Sequence, residues 1–154
     1  MDLPDGYGER RPSLADLGAI HTLTVACDVP VLGYGDWNSD EIREVLTDVR
    51  SLAATHHRLV VDADDRIVGW GLTADRPGGS VDVDWFVDPA LHPETHRSIT
   101  DALVASLFAD LDARAWAAGA KVVRVDAGAY RPDVRRAGEH HRRPALVARP
   151  RRRA

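Results

Sequence analysis

Apolar residues recur along this chain with two different periods, and the change of period marks out its elements. Leu14, Leu17, Ile20, Leu23 and Ala26 follow one another at helical spacing. Ser13 stands before them as an N-cap, and Asp16, three residues on, makes a partial capping box. Residues 9–12 close a short first strand. Residues 28–36 (DVPVLGYGD) read as a loop, punctuated by Pro30, Gly33 and Gly35. Ser39 is expected to cap a second helix, with Ile42, Val45, Leu46 and Val49 as its stripe and Leu52 prolonging it.

The period then drops to two. Residues 58–62 and 66–73 read as strands, with Asp64 and Asp65 as the tight turn of a hairpin. Residues 77–80 are a second turn. Residues 81–87 are a third strand with clean alternation: Val81, Val83, Trp85 and Val87 on one face, Asp82, Asp84 and Phe86 on the other. Gly69 and Gly71, inside a strand, point to a bulge or a close packing partner. A polar loop over 88–97 leads to a long helix over 98–118. There Ile99, Leu103, Leu107 and Leu111 recur every fourth residue, and Gly119 serves as C-cap. Residues 121–126 form a last strand. Strand, helix and strand make a β-α-β unit, so those two strands are expected to be parallel. Leu146, Val147 and Ala148 are too short a run to assign.

Composition narrows the classes. The 154 residues fit one domain, and 44% hydrophobic against 29% charged is a globular balance. With Cys27 as the single cysteine, there is no intrachain disulfide and no cysteine-based zinc site. No stretch approaches the ~20 apolar residues that span a bilayer. The start of the chain is polar, so a signal peptide is not expected, and the default reading is a cytoplasmic protein. The net charge of −4 is unevenly spread. Residues 131–154 carry nine arginines and two acids, a net +7, which leaves −11 on residues 1–130. That tail reads as a disordered, solvated end or a docking arm for an acidic partner. Nucleic-acid binding is disfavoured, since no aromatics interleave with the arginines and the body is acidic.

The order of elements resembles the GCN5-related N-acetyltransferase (GNAT) superfamily. Residues 66–71 (RIVGWG) are similar to the family's strand after its hairpin turn, and 81–87 to its central strand. Residues 91–97 (LHPETHR) resemble the loop that precedes its long helix, and 118–124 (AGAKVVR) the entry to its next strand. Residues 27–43 also resemble the first half of mycothiol-synthase-like two-domain acetyltransferases. The expected architecture is therefore α+β, a mixed sheet of antiparallel meander plus parallel β-α-β unit. A GNAT-like domain would occupy residues 1–130 and the basic tail residues 131–154. The tail offers neither the helix with a tyrosine nor the two strands that usually complete the family's sheet.

The resemblance implies direct transfer of an acetyl group from acetyl-CoA, as co-substrate, to a small primary amine. Phe86 and Val87 would give backbone contacts to the pantetheine arm. Arg97, Ser98, Ile99 and Thr100 would face the pyrophosphate, at a helix N-terminus with its partial positive charge. Asp84 would be the general base, with Asp82 a solvated neighbour, and Tyr130 the general acid for the leaving thiolate. An open cleft between 84–88 and 122–126 is the expected mark of an active member. This loop contains no glycine where the family uses glycines. That supports the alternative: a degenerate, non-catalytic domain acting as a structural or protein-interaction module, with a homodimer or a partner GNAT domain as its company. Trp37 is a candidate pocket wall. Cys27 reads as a small core residue. His56 and His57 point oppositely in an extended segment and make poor co-ligands, so no metal is assigned.

Overall fold

In a computed structural model, described for residues 1–48, 56–76, 80–117, 123–127 and 146–148, the chain forms one six-stranded sheet between two helical layers. Strand β1 (Gly8–Arg10) is followed by a single 3-10 turn (Leu14–Asp16) and helix α1 (Leu17–Leu32). Then come α2 (Ser39–Thr47), β2 (His57–Val61), β3 (Ile67–Arg76), β4 (Ser80–Val87), α3 (Pro93–Ala117), β5 (Val123–Ala127) and β6 (Leu146–Ala148). Spatial order follows chain order; β1 to β4 are antiparallel, β4 and β5 are parallel, and β6 returns antiparallel on β5. The α+β class and the meander with its β-α-β unit stand as expected.

Local chemistry explains where the elements begin and end. The Ser13 N–H donates to the Asp16 carboxylate (2.7 Å), the capping contact expected there. Helix α1 does not stop before residue 28 but runs on to Leu32 with Pro30 inside it. The hydrogen bond that Pro30 forfeits would have gone to the carbonyl of Ala26, on an exposed side where water can replace it. The helix ends where Gly33 takes a left-handed φ of 84° and its N–H closes on Val29. The cap of α2 is Asn38 rather than Ser39. The Asn38 side chain accepts from the Asp40 and Glu41 amides, and Glu41 accepts from the Asn38 N–H in return. Ser39 has Ile42 three residues on and could not complete such a box. In the β2–β3 turn, Asp65 adopts φ 59° and the Asp62 carboxylate accepts from the amides of Asp64 and Arg66.

Helix α3 starts at Pro93, five residues before the position read from the sequence. Proline fits the first helical position, where its missing N–H costs nothing and its φ is already helical. The residues read as a polar loop over 93–97 are thus the opening of the helix. Residues 49–55, 77–79 and 118–122, which hold Val49, Leu52, the second turn and the Gly119 cap, lie outside the described residues.

Alternation along β4 divides the interior into two cores. On one face Val81, Val83 and Val87 join Val60 and Val68 under the α3 stripe of Ile99, Leu103, Leu107 and Leu111. On the other, Phe86 joins Leu59, Ile67, Trp70 and Leu72 under Ile20 and Leu23 of α1 and Ile42 of α2. The register slips between Val60 and Val61, the bulge that the strand glycines suggested. Gly71 supplies the close approach: a Cβ there would lie 2.8 Å from Leu107 Cδ1 and 2.9 Å from Leu103 Cδ1. Where the apolar stripe of α3 gives out, charge takes over. Arg58, 7% exposed, pairs with Glu9 at 2.9 Å and with Asp110. Arg114 donates to Thr73 (2.7 Å) and Asp75 (3.3 Å).

In the tail, residues 146–148, left unassigned above, pair with β5 as the outer strand. Residues 14–32 correct a second expectation. They form a helical run of 19 residues, apolar and long enough by length and composition to cross a membrane, although α1 packs on the sheet. The packing at Gly71 leaves no room for a side chain, so Gly71→Val is expected to destabilise the fold by about 1–3 kcal/mol. Urea unfolding of the two proteins measures it.

Candidate functional site

The register of β4 decides what a ligand could meet. Strand β4 runs to Val87, but its pairing with β5 covers only Ser80–Val83, against Arg124–Ala127. Among the described residues, no β5 residue pairs with β4 past Val83. The Asp88 N–H donates to the Val68 carbonyl (2.9 Å) across β3. Backbone groups alternate between the two edges of a strand, so Phe86 bonds toward Trp70 in β3, while Trp85 and Val87 present theirs to the open edge. This corrects two expectations. Phe86 has its backbone committed to the sheet, and Trp85 takes its place beside Val87. The expected cleft between 84–88 and 122–126 does not match the register either, because Arg124 to Asp126 are paired with Ser80 to Asp82.

The Val87 carbonyl is not free, for the Cys27 thiol of α1 donates to it (3.3 Å). Burial pushes that thiol up to about 11, so Cys27 is a packing residue and no nucleophile at neutral pH. Asp84 and Asp82 are half-buried on the α1–α2 face, opposite Leu72 and Ala74. His57 pairs with Leu72 in turn, so His57, Leu72 and Asp84 form one row across three strands. The next row is aromatic. Trp70 stacks on Phe86 (5.6 Å between ring centroids), and Trp37 meets both edge-on, at 5.4 and 6.1 Å. Trp37 therefore does form a wall, half-buried, beside the end of β4.

Asp28 holds that wall, and the sequence reading passed over it as part of a loop. It is 1% exposed; its carboxylate accepts from the Asp36 amide (2.9 Å), while Oδ1 has no partner among the described residues. Burial raises its carboxyl above the ordinary value. It clamps the turn after α1 so that Trp37 faces the sheet. The signal was present: Asp28 is the lone charged residue of α1.

The pyrophosphate residues fall elsewhere than expected. Arg97 to Thr100 stand in the second turn of α3, where their amides bond to the preceding turn. Arg97 and Ser98 are exposed, Ile99 is fully buried in the core, and the Thr100 hydroxyl donates to the His96 carbonyl (2.8 Å). Since the His96 N–H goes to His92, the amides left over belong to Glu94 and Thr95. Glu94 adds an acidic residue to that first turn, which disfavours an anion there. His92 and His96 thus flank the first turn of a helix rather than lying in a loop. Tyr130 lies outside the described residues. His56 lies against Arg114 on the α3 side and His57 against Trp70 on the other, so the two rings do point apart. Among the described residues, no three His, Cys, Asp or Glu side chains gather to hold a metal. A groove of about 450 Å³ runs between α1 and the β2–β3 turn, but neither Asp84, Trp85, Val87 nor Trp37 lines it.

Comparison with solved structures settles the fold. A GCN5-related N-acetyltransferase from Sphaerobacter thermophilus superposes with a TM-score of 0.67 at 22% identity, over 82% of this chain and 39% of that one. The ribosomal-protein-S18-alanine N-acetyltransferase of Escherichia coli gives 0.55 at 13%, over 78% of this chain and 66% of that one. The chain has the GNAT fold. A GNAT-family acetyltransferase from Brucella melitensis, solved with acetyl-CoA, gives 0.50 at 19%, over 80% of this chain and 77% of that one. Thus the chain spans 39% and 66% of the length of the first two GNAT structures. No family model matches the sequence, and no curated protein matches it.

Burial, and then the neighbouring His56, hold the His57 ring down at about 4 against an ordinary 6.5. The unfolded chain binds the proton first, so the stability that the neutral ring contributes is complete above pH 6.5 and is lost as pH falls toward 4. The loss is expected to approach about 1.4 kcal/mol per pH unit in that window. Denaturant midpoints at pH 7.5, 6 and 5 should fall accordingly, and His57→Phe should flatten the trend.

Proposed function

We propose that this GNAT-fold chain transfers an acetyl group from acetyl-CoA to a primary amine by direct attack. The observation that carries the reading is the edge of β4 past its described pairing with β5. Past Val83, the Trp85 and Val87 amides point to the β5 side of β4, where no described residue pairs with them. A pantetheine amide could add there like a short extra strand. The amine nitrogen would attack the thioester carbonyl, and a β4 amide, Trp85 or Val87, would donate to the oxygen that gains charge. The tetrahedral intermediate would then expel the CoA thiolate. Asp84, on the α1–α2 face one residue before Trp85, would take the ammonium proton directly or through one water. Tyr130 is the candidate to protonate the thiolate. Trp37 would bound the acceptor pocket.

A second reading keeps a specific observation on its side. With the Arg97–Thr100 amides spent inside α3 and Glu94 in the first turn, the pyrophosphate has lost its cradle. On that reading the domain is a non-catalytic GNAT fold that serves structure or partner binding.

Calorimetry with acetyl-CoA on the full chain separates them, followed by thiol release with a panel of amines. Binding is expected. Asp84→Asn is expected to keep it and to lower turnover by about 10²–10⁴-fold. A folded chain that does not bind acetyl-CoA would leave the non-catalytic domain.

A further inference from the structure

Three contacts near the end of β4 close into a circuit whose corners are pairs of adjacent residues. From α1, the Cys27 thiol donates to the Val87 carbonyl (3.3 Å). The next residue, Asp28, accepts from the Asp36 N–H (2.9 Å). Beside Asp36, the Trp37 ring meets the Phe86 ring edge-on at 6.1 Å, and Phe86 leads back to Val87. The turn that carries Trp37 is pinned on both sides of it. Gly33 ends α1 with φ 84°, and Gly35 lies so near α1 that a Cβ there would sit 2.9 Å from Val25 Cγ2. Asp28 holds the amide just before Trp37, and the Asn38 cap of α2 fixes the chain just after it.

Asp28 is the costly member of this set. It is 1% exposed, and Oδ1 has no partner among the described residues, so a buried carboxyl leaves part of its bonding capacity unspent. A small apolar residue would fill the same place without that penalty. What only the carboxylate supplies is a hold on the turn, and the Asp36 and Trp37 amides both favour its charged form. We infer that Asp28 is a positioning residue: by fixing Trp37 against Phe86 it limits the acceptor to amines that are slim beside their nitrogen. This rests on the transfer reading above. Cys27 serves the same end from the strand side. With the Asp88 N–H on the Val68 carbonyl and the Cys27 thiol on the Val87 carbonyl, the peptide after Val87 is held at both of its polar groups. Trp37 is half-buried, with Trp70 and Phe86 against its covered side. A wall held in that way cannot swing aside, whereas one released from Asp28 would admit bulkier amines.

Thiol release from acetyl-CoA by the full chain, with n-butylamine and with cyclohexylamine, tests this. Wild type is expected to prefer n-butylamine in kcat/KM. Asp28→Ala is expected to reduce that preference about tenfold, with the acetyl-CoA dissociation constant from calorimetry unchanged. Asp28→Asn, which keeps an acceptor for the Asp36 N–H, is expected to restore the preference. In a Trp37→Leu background, Asp28→Ala is expected to change the preference no further, because both act through one side chain. A merely structural Asp28 would lower the melting temperature and both amine rates alike, and would do so in either background; that result overturns the inference. The hold itself is read without turnover by fluorine NMR of the 5-fluorotryptophan-labelled chain. The Trp37 line, assigned by its loss in Trp37→Leu, is expected to shift in Asp28→Ala and return in Asp28→Asn; an unmoved line overturns the inference. A wild type that acetylates neither amine also overturns it, and one that in addition fails to bind acetyl-CoA overturns the transfer reading as well.

Discussion

Val83 and Phe86 lie three residues apart on β4 and are buried in opposite cores. A strand that must satisfy two cores cannot slip by one residue, since a slip would exchange its two faces completely. That constraint fixes the register with β3, and through it the rest of the domain. The faces of β4 decide which side takes α3 and which takes α1 and α2. The same alternation decides which β4 amides face the open edge. Packing and chemistry are thus not separable here: the residues that bury Val83 and Phe86 also aim Trp85 and Val87 at the place where β5 ends.

The two helical layers are held by different means. Helix α3 sits close because Gly71 lets Leu103 and Leu107 onto the strand, and its far end is tied by Arg58 and Arg114. Helix α1 is held by its buried side, through Ile20 and Leu23, and by the contacts of Cys27 and Asp28 with β4 and the following turn. The Asp28 clamp also links the outer helix to Trp37.

Legibility varied with how local the cause was. The Asp64–Asp65 turn and the α3 stripe are legible because each is written in neighbouring residues, and the strand glycines are legible although the side chains that need them, Leu103 and Leu107, are distant in the chain. The end of α1 was missed, because Pro30 and Gly33 look like loop residues until one knows that Ala26 faces water. The start of α3 at Pro93 is hidden because residues 91–97 look like a loop, although proline favours a first helical turn. Those two boundaries mattered for function. The first hid Asp28, and the second placed Arg97 to Thr100 in a loop when they are helical.

The sequence by itself determined the order and type of the elements, the two-sided character of β4 and the acidic body with its basic tail, because period and charge are properties of the chain. It also carried enough pattern for the GNAT resemblance. Only the tertiary structure decided that β4 outruns its described pairing with β5, that the Phe86 backbone is turned to β3 and that of Trp85 away from it, and that Asp28 of α1 is buried. Each of these depends on register or on coverage. Register is set by distant partners, and coverage by what the fold brings or fails to bring against a face, so neither is written in any single stretch of residues.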